Sequence, residues 1–151
     1  MRCLGPLCGL VIGPLALTAG AGLFAGGVRG RALRSMKDPG SAFNDPLLGI
    51  DPQPKHMNDF VNTFDDNGGV HINSGIPNHA FFQVATILGG YSWEKAGRIW
   101  YDTLRDSRVR PNTGFRRFAR ITYDIAGRLF SLTGPERTAV RDGWAAVGLG
   151  V

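Results

Sequence analysis

Apolar residues recur at helical spacing along the second half of this 151-residue chain, and the period predicts four amphipathic helices. Ile76, Ala80, Phe81, Val84, Ala85 and Leu88 form one stripe that stops at Gly89-Gly90, a helix-ending pair. A second helix is expected from about Ser92 to Arg105, capped by Ser92 and bearing Ala96, Ile99, Trp100 and Leu104. A third, from about Gly114 to Phe130, presents Phe115, Phe118, Ile121, Ile125, Ala126 and Leu129. The fourth starts after Thr133, where Thr133-Gly134-Pro135-Glu136 has the spacing of a capping box with proline in the first turn, and it carries Val140, Trp144 and Val147.

The segment before these helices reads differently. Asp45-Pro46, Asp51-Pro52 and Gln53-Pro54 mark an extended, irregular stretch, because a residue before proline avoids helical torsions. The pattern allows a short helix over His56 to Val61, then a turn around Asn67 to Gly69. A strand signal is confined to Gly69-Val70-His71-Ile72, and there is no internal repeat. The fold class that follows is mainly α: a compact array of about four helices preceded by an irregular loop region with a short hairpin or turn. Three segments are expected: 1–26, 27–72 as a connecting region and site edge, and 73–151 as the helical lobe.

Composition narrows the picture. With 43% hydrophobic and 10% aromatic residues, the chain holds enough apolar side chains for one folded body and is not a disordered polypeptide. The formal net charge of +5 raises nucleic acid as a partner, and Arg116, Arg117 and Arg120 cluster on the third helix. They fall opposite its apolar stripe, where solvated charge belongs, and no groove-entering motif accompanies them, so no nucleic-acid partner is expected. Residues 1–26 read as a secretory signal: Arg2, an apolar run from Leu10 to Leu23, and the small residues Ala19-Gly20-Ala21. Gly13 and Pro14 break that run, so no stable membrane span is expected. The competing reading is a segment unrelated to the rest of the chain. Both cysteines, Cys3 and Cys8, lie within it, and the remainder reports no redox compartment.

The candidate chemistry gathers in Asp66-Asn67-Gly68-Gly69-Val70-His71-Ile72-Asn73-Ser74-Gly75-Ile76. Adjacent glycines let the backbone turn through positive φ, and Asn73 or Ser74 can cap the helix that follows. His71 then sits at an edge, where Asp66 can hold one imidazole nitrogen and leave the other to donate a proton. The same residues also suit an Asx-type turn with no catalytic role. His56 and Asp59 read as a solvated pair, and His71 and His79, eight apart across a helix start, lack chelating spacing.

The segment from Asp66 continues through Pro77-Asn78-His79-Ala80-Phe81-Phe82 and is flanked by Leu33-Arg34-Ser35-Met36-Lys37-Asp38-Pro39 and by Trp93 to Tyr101. With the terminal Ala145-Ala146-Val147-Gly148-Leu149, these blocks resemble the C-terminal, mainly helical lobe of thermolysin-like neutral zinc metallopeptidases over residues 27 to 151. The resemblance implies that His71 donates to the oxyanion of peptide hydrolysis and that Asp66 orients it. It also implies that Arg34 holds a substrate carbonyl and that Leu33 walls the adjacent pocket. Read from the residues alone, Arg34 is equally an ion-pair partner for Asp38 or Asp66. Members of the family bind zinc through His-Glu-x-x-His plus a later glutamate, and they bind calcium. Here the histidines are followed by Met57, Ile72 and Ala80, and Arg31 stands where thermolysin has an acidic calcium ligand. No metal is therefore expected to be bound by this chain alone. The implied partners are a peptide or protein substrate and a zinc-bearing peptidase lobe, with secretion to the cell exterior. The alternative is a non-catalytic module that binds a peptide or a partner.

Overall fold

The computed structural model describes residues 32–151, so the signal-like segment 1–26 lies outside the described residues. Two short strands, β1 (Asn44–Asp45) and β2 (Gly49–Ile50), pair antiparallel in the register Asn44 to Ile50 and Asp45 to Gly49. Asp45 closes this hairpin by accepting the Leu47 and Leu48 amides on Oδ1 at 2.8 and 3.2 Å, the Asx geometry expected of Asp before Pro. A single 3-10 turn at Met57–Asp59 follows, then helices α1 (Asp66–Asn73), α2 (Gly75–Leu88), α3 (Ala96–Leu104), α4 (Phe115–Leu129) and α5 (Pro135–Ala145). The mainly helical class holds, with α1 as a short addition to four longer helices. Among the described residues, no helix is long and apolar enough to cross a membrane.

Four aromatic side chains tie the longer helices together. Trp100 of α3 stacks on Trp144 of α5 at 5.9 Å between centroids, and both are fully buried. Phe81 of α2 meets Trp100 edge-on at 5.3 Å, and Phe118 of α4 meets Trp144 edge-on at 6.1 Å. Each such pair contributes about 0.5–1.5 kcal/mol beyond the area it buries. The Trp144 indole donates to Thr122 Oγ1 at 2.9 Å, so the one polar atom of that ring is satisfied inside the core. Ile76, Val84, Ile99, Val140 and Val147 fill the space between, as their helical spacing requires. Leu104 departs from its expected burial: it ends α3, where the chain turns away, and is 36% exposed.

Several local expectations give way to tertiary contacts. The helix allowed over His56 to Val61 shortens to the 3-10 turn, because the Val61 N–H and C=O are both taken by the Asn73 side chain, at 2.9 and 2.8 Å. Ser92 caps nothing with its hydroxyl, and its carbonyl instead accepts the Gly97 amide at 2.7 Å ahead of α3. The capping box does not form either. Gly134 is the N-cap of α5, and the buried Glu136 accepts from Lys95 Nζ at 2.8 Å, pinning α5 to the residue just before α3. That ion pair holds the Glu136 carboxyl below its ordinary titration range.

Helices α2 and α5 approach so closely that a Cβ placed on Gly143 would lie 2.4 Å from Val84 Cγ2 and 3.1 Å from the Ala80 carbonyl. Gly143→Ala is expected to destabilise the fold by about 1–3 kcal/mol through overpacking. Urea unfolding with an unchanged slope checks this; a midpoint equal to that of the unsubstituted chain contradicts the packing described.

Candidate active site

The site begins with an unusual backbone. Asp66, Asn67, Gly68 and Gly69 all have positive φ, at 54°, 51°, 84° and 72°. Glycine accepts this region freely, whereas each non-glycine residue there costs on the order of 1–2 kcal/mol. Compensation comes from the Asp66 carboxylate. Its Oδ2 accepts the amides of His71 and Ile72 at 2.8 and 3.3 Å, and its Oδ1 meets His71 Nδ1 directly. Residues 70–73 therefore wind into a helical turn capped from a distance, which is why the strand signal over Gly69 to Ile72 is overridden. Gly69 is also sterically required, since a Cβ there would lie 2.8 Å from Asn73 Nδ2.

An ionised carboxylate only accepts, so the proton between Asp66 and His71 resides on Nδ1. The Asp66 carboxyl is held below its ordinary value near 3.8, first by the hydrogen bond from the His71 ring, against the opposing effect of burial, and then by the two backbone amides. The pair stays open to solvent on one side, with 44% of the His71 side chain and 25% of the Asp66 side chain exposed.

Arg34 reaches the same turn from the far end of the irregular region. Its Nη1 donates to the His71 carbonyl at 3.1 Å and to Ser74 Oγ at 2.7 Å. It pairs with neither Asp38 nor Asp66, because Asp38 is held by Lys55 and Asp66 by His71. Leu33, beside it, is 57% exposed. Gln53 enters unannounced: its Nε2 donates to the His71 carbonyl and to Ser74 Oγ, both at 2.9 Å. Ser74 closes the cluster by donating Oγ–H to the His71 carbonyl at 2.7 Å. Three donors thus converge on the backbone oxygen of the residue whose ring faces Asp66. Asn73 and Ser74, expected as side-chain caps, serve instead as clamps. The sequence offers one local signal for Gln53, its place between two prolines, and that signal says nothing about its target.

The other histidines are used structurally. His79 donates Nδ1–H to the Met36 carbonyl at 3.1 Å, accepts from Gln83 at Nε2, and stacks on Phe82. His56 Nδ1 accepts the Asn58 amide, and its ring lies over Gly148. Among the described residues, no three His, Cys, Asp or Glu side chains converge on one point. The described side chains thus offer no zinc ligand set of their own.

Fold and turn together define a helical lobe with a carboxylate-held histidine at its entrance. Comparison with known proteins gives that class its family. The profile described as "Thermolysin metallopeptidase, alpha-helical domain" matches residues 16–149. An extracellular metalloprotease of Pectobacterium carotovorum is 56% identical over 132 residues, covering 87% of this chain and 38% of that protein. Protease PrtS of a Photorhabdus species is 51% identical over 134 residues, covering 87% of this chain and 36% of its own length. The solved structure of the precursor of protealysin, a metalloproteinase from Serratia proteamaculans, superposes with a TM-score of 0.82 at 50% identity, over 89% of this chain and 41% of that one. The chain belongs to the thermolysin metallopeptidase family, in its α-helical domain. It spans about two-fifths of the length of these relatives.

The lowered Asp66 titration carries a sign. Because the folded value lies below the unfolded one, the stabilisation is full above the ordinary value near 3.8 and is lost as pH falls through the lower folded value. Asp66→Asn should therefore be less stable than the unsubstituted chain at about pH 7, and the gap should close on acidification below that ordinary value. Parallel denaturant titrations across pH test this; a gap that stays constant into strong acid would remove the Asp66 contacts as its source.

Proposed function

We propose that this chain supplies the histidine-bearing, substrate-binding side of a thermolysin-like zinc metalloendopeptidase site. The observation that carries the reading is the Asp66–His71 pair, held in register by donors from Arg34, Gln53 and Ser74. With Nδ1–H committed to Asp66, the ring offers Nε2–H, when that nitrogen also carries a proton, to the oxygen of a peptide carbonyl as negative charge builds on it, and Asp66 balances the positive charge. One preorganised donor of this kind is worth ~3 kcal/mol of barrier, about a hundredfold in rate. Arg34 keeps guanidinium donors beyond Nη1 that have no partner among the described residues, and these suit a second substrate carbonyl. Leu33, exposed next to it, supplies an apolar surface for the neighbouring substrate side chain.

The nucleophile comes from elsewhere. No histidine is followed by glutamate anywhere in the 151 residues, and the three imidazoles are engaged as described. These residues alone therefore turn over no peptide, and hydrolysis depends on a zinc-bearing lobe. Relatives named as extracellular proteases, together with the signal-like residues 1–26, support secretion. The non-catalytic alternative rests on that same missing ligand set: a lobe that holds an extended peptide without cleaving it.

A quenched-peptide assay separates the two readings. Mixed or fused with the zinc-bearing lobe of a homologous enzyme, the chain is expected to restore cleavage, and His71→Ala to lower kcat by about a hundredfold with little change in KM. Peptide binding without cleavage in that reconstituted mixture would favour the module. Turnover by the isolated chain with added zinc would refute the division of labour.

A further inference from the structure

A groove of about 770 Å³ opens between the turns at residues 57–60 and 67–70 and the start of α4, with Val70, Phe115 and Leu149 buried in its floor and Arg116, Arg117 and Arg120 at its rim. It borders the turn that carries His71 and shares residues 67–70 with it. A separate feature stands at the far end of the 14-residue α2, about 20 Å from that turn. There Gly89 and Gly90 take positive φ, at 64° and 65°, and the helix ends. A tight turn follows: the Glu94 amide donates to the Tyr91 carbonyl at 3.1 Å, and the Glu94 carboxylate reaches back to the Tyr91 amide at 3.4 Å. The Gly97 amide then closes on the Ser92 carbonyl at 2.7 Å, and Gly97 lacks the Cβ that would crowd that oxygen. Held in this way, the Tyr91 and Trp93 rings stack with centroids 4.5 Å apart and 16° between planes. Both remain open to water, at 61% and 59% exposure.

We propose that the Tyr91–Trp93 stack is a binding platform for a neutral saccharide, with a pyranose ring lying on an outer aromatic face and its hydroxyls donating to the Glu94 carboxylate. The rings are flat, solvent-facing and already ordered, so a ligand that covers them costs little further side-chain entropy. A pyranose with equatorial hydroxyls presents axial C–H bonds on its face. Their slight positive charge meets the negative face of an aromatic ring while apolar surface leaves water. An ionised carboxylate only accepts, and hydroxyls at the edge of the sugar supply the donors for short, charge-assisted bonds. Among the described residues Glu94 makes no ion pair, so beyond its long contact with the Tyr91 amide it keeps acceptor positions for a ligand.

The neighbouring charges disfavour other occupants. Lys95 is held by Glu136 and Arg98 by Asp102, at 2.8 and 2.9 Å. A nucleic-acid strand would stack on the rings, but its phosphates would meet Glu94 with those two cations already engaged. A quaternary ammonium group is best enclosed by several rings set at angles to one another, and two rings at 16° offer it one face at a time. A second copy of the chain would bring its own net charge of +5.

The test uses the full chain, with cellohexaose as the saccharide and sorbitol as a polyol without a ring. Trp100 and Trp144 are fully buried, so solvent-sensitive tryptophan emission reports on Trp93. Cellohexaose at millimolar concentration is expected to shift that emission to shorter wavelength and to shield it from acrylamide, whereas sorbitol at equal hydroxyl concentration does neither. Calorimetry of the same titration should give binding about tenfold weaker for Trp93→Ala and for Tyr91→Ala, and about threefold weaker for Glu94→Gln. All three side chains are exposed, and an unchanged circular dichroism spectrum verifies the fold. No response to cellohexaose up to its solubility limit, an equal response to sorbitol, or affinity retained by any of the three variants overturns the proposal. So does tighter binding of tetramethylammonium or of oligothymidylate, which would assign the platform to a cation or to nucleic acid. Sedimentation showing a dimer that Trp93→Ala dissolves would assign it to a second copy.

Discussion

The carboxylate of Asp66 is the constraint on which the entrance to the helical lobe depends. It sits at the start of four consecutive residues in the left-handed region, two of them not glycine, and it returns two backbone hydrogen bonds and one ring contact to the turn that those torsions create. Without these acceptor contacts, the amides of His71 and Ile72 would open a helical turn with no partner, and the backbone cost would fall on the Gly68 and Gly69 amides bonded to the Asp65 carbonyl and on the outer clamps. The same three donors stabilise the ionised carboxyl, so orientation of the imidazole and retention of charge on Asp66 have one cause.

That turn is clamped from outside as well. Asn73 fastens it to Val61 through both atoms of its amide, and Ser74 gathers Arg34 and Gln53 onto the carbonyl of His71. These donors come from 12 to 40 residues away in the chain. The largely irregular region 32–65 before α1 therefore has a purpose that its composition conceals: it carries two polar side chains to one backbone oxygen. Behind the clamp, α2 packs Phe81 against the stacked tryptophans of α3 and α5, so the turn is anchored to the buried core of the lobe.

Helical periodicity made the four longer helices and most of their buried faces legible, because amphipathic spacing is a local property that tertiary packing reinforces. The pairing of Asp66 with His71 was legible for a similar reason, the two being five residues apart across a double glycine. Gln53 was not, since its partners lie 18 and 21 residues on and no local pattern encodes that distance. Cap chemistry was misread at Ser92 and at Thr133-Glu136 because each donor or acceptor found a better tertiary partner. Arg34 took backbone and hydroxyl acceptors in preference to Asp38 and Asp66, each of which already had a cation or ring against it. The groove needed four separated segments to converge, and Arg116, Arg117 and Arg120 reveal nothing beyond a solvated face until the floor beside them is seen.

One turn of helix serves both the paired histidine and the groove, and geometry keeps the two apart. Residues three apart share a face, so Val70 and Asn73 point into the groove while His71 and Ser74 face the Asp66 and Arg34 contacts, about 100° further round. A side chain seated against Val70 would not touch the imidazole, yet it would press on the backbone segment that positions it. Asn67, Gly68 and Gly69, which line the groove, are three of the four residues of this turn held at positive φ, and the two glycines have no side chain to resist a change in torsion. Filling the groove would therefore restrict the torsions that aim His71 without adding a contact to the ring, and the buried clamp on Ser74 would carry that restriction into α2. The wall of the groove and the turn that aims His71 are thus built from the same four residues, Asn67 to Val70.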